Sequence, residues 1–212
     1  MRKLLSMILT VCTLFAFSIP AYAQEAASDE VVSHEEIEAA YRAIGDEYGV
    51  ELEVVEYDPD IIITRDKFEK ALEYVRQVAQ SEIVVQGLEA DAIEETNIDP
   101  IAMVISRTRN GSFYLSQFPS SATIRVAITV SMDADRGTII SVDKIDSYQS
   151  GFATDFENWI PVQHTPYTNS PSNGWVTVDV VGRVVWVITE PTSGTKFTDT
   201  VDVNQTVQVN FN

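Results

Sequence analysis

Few side chains in this sequence could carry covalent chemistry, so the few that could are weighed first. The 212 residues contain one cysteine, Cys12, and two histidines, His34 and His164. Cys12 lies in an apolar run expected to be removed on export, so thiol chemistry is not expected of the working chain. No Gly-x-Ser-x-Gly turn is present to present a nucleophilic serine. A serine triad would have to use His164 as its base, and the sequence singles out no serine as partner. Zinc sites draw on three or four Cys, His or carboxylate ligands at short spacings. Two histidines 130 positions apart give no such spacing. Asp133-x-Asp135-x-Gly137 has the opening of a calcium loop, without the third ligand and the closing bidentate glutamate. It reads better as an Asp/Gly turn, and so does Asp58-Pro59-Asp60. No metal and no cofactor is expected. A glycan hydrolase needs two carboxylates facing across a cleft, and Asp155 with Glu157 is the first choice for such a pair. Catalytic residues are therefore not assigned, and the chain leans towards a non-enzyme.

The stretch from Asp155 to Trp175 is richer in binding chemistry. Trp159, His164, Tyr167 and Trp175 stand among Asn158, Gln163, Asn169 and Asn173, with Pro161, Pro166 and Pro171 between them. Aromatic faces beside amide groups suit stacking on a sugar ring or anchoring a protein partner. These four aromatic and imidazole side chains are the expected ligand-binding residues if the stretch is an exposed loop. If it is not, the tryptophans instead plug the ends of the fold.

Two kinds of periodicity position this stretch. Ser33 with Glu36 has the spacing of a capping box. Ile37, Tyr41, Ile44 and Tyr48 follow as one helical stripe ending at Gly49. Thr64 heads a second helix striped by Phe68, Leu72, Val75 and Ala79. Between them Val50, Leu52 and Val54 alternate as a short strand. Ile83-Val84-Val85 reads as strand, Leu88 to Glu95 as a helical turn or two, and Asn97-Ile98-Asp99-Pro100 as a break.

From Ile101 the period becomes two. Ala102–Arg109 and Ser112–Phe118 are expected as a hairpin turning at Asn110-Gly111. Ile124, Val126, Ile128 and Val130 alternate with polar neighbours, and Asp133–Gly137 turns the chain into a strand over Thr138–Ser147. Gly174–Val181 and Arg183–Thr189 are expected as two strands meeting at Gly182. Thr200–Phe211 puts Val201, Val203, Val207, Val209 and Phe211 on one side. Val184–Ile188 is apolar on both faces, so a second layer, the striped helices or a long loop, is expected on the far side of Trp186. The fold class is α+β: a short helical N-terminal portion followed by an antiparallel β-sandwich, Ig-like or similar.

Residues 1–23 have the layout of a signal peptide: basic Arg2-Lys3, an apolar run over Leu4–Ile19, then Ala21-Tyr22-Ala23. A secreted product is expected, with the cell envelope or periplasm as the alternative. Residues 24–33 are expected as a small, acidic, flexible lead-in, residues 34–99 as the helical region with a short strand, and residues 100–212 as the sandwich. Net charge is −18, and 22 of the 32 acidic residues lie between Gln24 and Pro100 against 5 basic ones. Such a surface repels nucleic acid and anionic lipid. No later run is apolar and long enough to span a bilayer.

Thr138-Ile139-Ile140-Ser141-Val142-Asp143-Lys144-Ile145, Ser147-Tyr148-x-Ser150-Gly151 and Gly174–Gly182 with the alternating last strand give residues 100–212 a pattern. It resembles that of the small secreted β-domain proteins of Gram-positive bacteria, a group without an assigned function. The resemblance implies a β-sandwich and export, and it carries over no catalytic residue. The expected function is a secreted, non-enzymatic protein that binds a protein or a glycan. The alternatives are a carboxylate-dependent glycan hydrolase, with its cleft of facing carboxylates, and an inhibitor or immunity-type protein. The last would present an acidic helical face around Glu35, Glu36, Asp46 and Glu47 to a basic partner.

Overall fold

The computed structural model describes residues 30–88, 94–99, 104–168 and 173–212. The expected signal peptide and most of the lead-in lie outside the described residues. Its order is α1 (His34–Tyr48), β1 (Glu51–Glu56), α2 (Arg65–Gln80), β2 (Val84–Leu88), β3 (Glu94–Asp99), β4 (Val104–Gln117), β5 (Ser120–Asp133), β6 (Thr138–Thr154), β7 (Phe156–Tyr167), β8 (Trp175–Thr189) and β9 (Lys196–Asn210). The strands build two antiparallel sheets. One runs β1-β9-β8-β7; the other runs β2-β4-β5-β6, with β3 also on β4.

Both helices fall where their stripes placed them. Ser33 Oγ accepts the Glu36 amide, 3.3 Å away, and Gly49 closes α1 in the left-handed region at φ 71°. The glutamate of the capping box does not reach back to Ser33. Its carboxylate instead takes the Arg65 guanidinium at the start of α2, which also meets Glu30 at 3.5 Å. Val31 bridges Thr64 and Val32 is buried, so the chain is already part of the fold ahead of α1.

The two sheets turn apolar faces towards each other. Phe113 and Leu115 of β4, Ile124, Val126, Ile128, Val130 and Met132 of β5, and Val176, Val178, Val180, Val184 and Trp186 of β8 are fully buried in one cluster. Ile37, Tyr41, Phe68 and Val75 of the helices belong to that same cluster. Tyr41 meets Phe197 edge-on at 5.4 Å, and Phe197 pairs across the ladder with Ile188. The helices thus pack on the face of β8–β9 that also carries the core, not on the opposite one. Val185 and Val187, on that opposite face, are half-buried.

Three segments differ from the sequence reading, each for a packing reason. Asn110-Gly111 is not a turn: β4 runs straight through it, paired with β5 from Val104↔Asp133 to Gln117↔Ser120. Gly111 faces the other sheet, where a Cβ would collide with the Val207 side chain. The glycine allows close approach of two layers and does not reverse the chain. The reversal comes at Phe118-Pro119. Gly182 likewise lies within one continuous strand, β8, because the Trp159 ring occupies the space a side chain would need. The expected helical turn over Leu88 to Glu95 and the break at Asn97–Pro100 give way to strand at their described residues, while residues 89–93 and Pro100 lie outside them. Leu88 ends β2, and Glu94–Asp99 is a strand on β4. The front of the chain therefore supplies strands to both sheets: β1 to one, β2 and β3 to the other.

Candidate functional site

The described part of the aromatic stretch is strand, β7 and the start of β8, while Asn169 and Pro171 lie outside the described residues. Phe156–Tyr167 pairs antiparallel with β8, from Phe156↔Trp186 to Tyr167↔Thr177, with irregularities near Asn158 and Val162. Prolines are tolerated because β7 is the outermost strand of its sheet, so an amide missing on the open side breaks no ladder bond. Alternation splits the four expected binding residues between two faces.

Trp159 points inward and is only 6% exposed. Its ring stands edge-on to Phe113 at 6.0 Å and fills the space above Gly182. It is a core residue, and the expectation that it meets a ligand is corrected. The physical reason is that a ring this size buries far more apolar area against two sheets than at a strand edge.

His164 also faces the gap between the sheets. Its Nε2 lies 2.8 Å from Ser147 Oγ, and the Trp159 Nε1–H donates to the same oxygen at 2.8 Å. Ser147 belongs to β6 of the other sheet, so one hydroxyl ties the sheets together where the chain crosses from β6 to β7. An indole N–H only donates, so Ser147 accepts from Trp159 and can donate its own proton to His164. Burial lowers the His164 pKa below its ordinary value, opposed more weakly by the Asp146 carboxylate. Where Ser147 donates, the Nε2 of a neutral imidazole accepts. This is the hydrogen bond of a nucleophile and its base, and it supplies the serine that the sequence did not single out. It equally satisfies two ring nitrogens that would otherwise be buried bare, which is the role the packing explains.

Tyr167 and Trp175 lie on the outer face, 39% and 45% exposed. Tyr167 sits across from Thr177, two residues along β8 from Trp175. Asp179, on the same face, accepts Thr206 Oγ at 2.7 Å and lies 3.5 Å from the Tyr167 hydroxyl. The result is two aromatic side chains beside a carboxylate and hydroxyls on a rigid three-strand surface. Such a surface can stack on the C–H face of a sugar and hydrogen-bond its hydroxyls.

The other candidates resolve differently. Asp155 and Glu157 are both exposed where β6 passes into β7. Asp155 takes a left-handed φ of 50° while its carbonyl accepts the Val187 amide, and burial pushes its carboxyl upward. Asp133 spends one carboxylate oxygen on the amides of Asp135 and Arg136, both 3.0 Å away, as a turn requires. Asp58 does the same for Asp60 at 2.9 Å. Among the described residues no group of three or more His, Cys, Asp or Glu side chains is placed to hold a metal ion. Among the described residues no helix is long and apolar enough to cross a membrane.

Sequence reasoning missed a buried polar relay. Asp199 is fully buried on the inner face of β9; one carboxylate oxygen accepts Gln117 Nε2 at 2.8 Å, and the other has no partner. Gln117 Oε1 accepts the Trp186 indole N–H at 3.0 Å. Burial raises the Asp199 pKa to about 6, with the Gln117 hydrogen bond pulling the other way. The signal was parity: once β9 is taken back to Lys196, Asp199 falls in line with Phe197, Val201 and Val203. Glu190 is also fully buried, its carboxylate capped by the amides of Thr192 at 2.8 Å and Ser193 at 2.6 Å.

Comparison of the chain with protein-family models, with curated proteins and with solved structures finds no match. The fold and the side-chain geometry are therefore what a functional reading rests on.

Proposed function

We propose that this is an exported, non-enzymatic binding protein that holds a glycan on the outer face of its β7–β8–β9 sheet. In this reading the two facing sheets are a β-sandwich of Ig-like or similar type, plugged by two helices, and Tyr167 and Trp175 are the contact residues. The observation that carries it is the joint exposure of these two aromatic side chains beside Asp179 on one sheet face. Exposed aromatics grouped beside fixed polar groups form the kind of patch that a partner covers. Export is supported by the leader-like first 23 residues and by the resemblance of residues 100–212 to small secreted β-domain proteins. His164 and Trp159 act from beneath, fixing β7 against Ser147 so that the outer face stays flat.

A glycan array on the purified protein, followed by titration of the best ligand, tests the reading. Trp175→Ala and Tyr167→Ala should each weaken binding about tenfold, the equivalent of about 1.4 kcal/mol, with the fold intact by circular dichroism. If no glycan binds, or if both variants bind like the parent, the reading is wrong.

A further inference from the structure

A second surface, independent of the aromatic face, lies where α1 runs beside β1. β1 is the outermost strand of its sheet: one edge pairs with β9 from Glu51↔Thr200 to Glu56↔Lys196. Among the described residues no strand pairs with its other edge; α1 meets it just ahead of β1, where the Val50 amide donates to the Gly45 carbonyl at 3.0 Å. Glu38, Arg42 and Asp46, four residues apart each time, form one stripe of α1. With residues 50–54 they line an open cleft of about 430 Å³. Leu52 and Val54 come from the inner face of β1, Glu51 and Glu53 from the outer. Consecutive residues of β1, belonging to both faces, line the cleft, so it runs along the strand's edge and not over one side of the sheet.

An open edge is a template for another strand, and proteins usually cover or blunt it. Here it is left open beside a helix, and its charge has one sign. Glu38, Asp46, Glu51 and Glu53 face one arginine, Arg42. Among the described residues none of these four acids makes an ion pair. Glu38 accepts only a hydroxyl, from Tyr57 at 3.1 Å. A second copy of this chain, at net −18, would bring more negative charge to that edge. A strand bearing lysine or arginine would bring what the edge lacks.

We infer that the cleft between α1 and β1 binds an extended, cationic peptide segment of a partner protein, which adds to β1 as a further strand. Main-chain hydrogen bonds to the β1 edge supply the affinity, and alternate basic side chains reaching Glu38, Asp46, Glu51 and Glu53 supply the selectivity. β1 has six residues, so at ~3.3 Å per residue it can register a peptide of about that length.

The probe is a fluorescein-labelled alternating Lys-Val octapeptide, read by fluorescence anisotropy in 0.15 M salt. Its comparators are the Glu-Val analogue and a Lys-Val peptide with alternate amides N-methylated. The first reverses the charge; the second keeps the charge and blocks strand pairing. The Lys-Val peptide should bind. The Glu-Val peptide should not, and N-methylation should weaken binding at least tenfold. Glu38→Lys with Asp46→Lys should also cost tenfold or more. Glu69→Lys with Glu73→Lys, the same charge change on exposed sites of α2, should change affinity less than threefold. The proposal is overturned if the N-methylated peptide binds as well as its parent, since the contact is then a diffuse charge effect. It is also overturned if the α1 and α2 variants behave alike, or if the free protein already dimerises through β1 and excludes the peptide. Trp175→Ala should leave peptide binding unchanged, so this inference and the glycan reading stand or fall separately.

Discussion

Asp199 makes the stability of this protein run against the usual acid trend. The carboxyl is fully buried, one oxygen lacks a partner, and its pKa in the fold is about 6 against an ordinary 3.8. The folded state therefore holds this proton more tightly than the unfolded chain does. Above about pH 6 the fold must carry an uncompensated buried charge. As pH falls through 6 towards 4 the folded protein takes up the proton and that cost disappears. A rise of about two units, at about 1.4 kcal/mol each, is about 3 kcal/mol. Asp199→Asn removes the titration while keeping an oxygen for Gln117 Nε2. Its amide nitrogen adds a buried donor at a cost of about 1–3 kcal/mol that does not vary with pH. Urea unfolding followed by tryptophan fluorescence at pH 4.5, 5.5, 6.5 and 8.0 measures both proteins. The aspartate form should lose about 2 of those 3 kcal/mol relative to the asparagine variant between pH 4.5 and 8.0, more than half of it between pH 4.5 and 5.5. Two profiles that run parallel within about 0.5 kcal/mol would refute the reasoning, because Asp199 would then titrate alike folded and unfolded.

Trp159→Ala should lower stability by about 3–5 kcal/mol, as for other large aromatic truncations in a core, and chemical denaturation would show it; a loss under 1 kcal/mol would mean the ring is not packed as described. Gly111→Ala puts a methyl into Val207 and should cost about 1–3 kcal/mol, measured the same way, whereas Gly87→Ala, with open space around it, should cost less than 1. His164 should titrate below its ordinary 6.5, visible in the imidazole C–H resonances as pH is varied. Because the fold disfavours the imidazolium, this residue's contribution to stability falls as pH drops through 6.5, opposite in sign to that of Asp199. Ser147→Ala, which bares both ring nitrogens, should destabilise by about 1–3 kcal/mol.

The helices were legible because a stripe such as Ile37-Tyr41-Ile44-Tyr48 encodes a local geometry with its own caps. The long strands were legible where one face is wholly apolar, as from Ile124 to Val130. The errors share a cause. Asn110-Gly111, Gly182 and the prolines of Phe156–Tyr167 are all local signals of a turn or loop. Each is explained instead by a residue distant in sequence: Val207 against Gly111, Trp159 against Gly182, and the open side of β7 beside Pro161. Of the expected site, Tyr167 and Trp175 are exposed, while Trp159 and His164 turned inward. That split follows from strand alternation, and it disappears once the segment is read as a loop. Ser147 could not be found as the partner of His164 without the pairing of sheets, since nothing in the spacing of the two joins them. The polar cleft beside β1 was also beyond reach, because an edge is defined by which strand is missing.

The strand at residues 51–56 finds its only described neighbour at residues 196–200. Closing that sheet waits on residues far along the chain, and loop closure over such a separation is slow. A nascent chain emerging from the ribosome can form its helices early but cannot finish this sheet until residues 196–200 have been made. Deleting Lys196–Asn210 would remove the partner of two strands at once, leaving a product with a bare apolar face that should aggregate instead of behaving as a shortened but working protein.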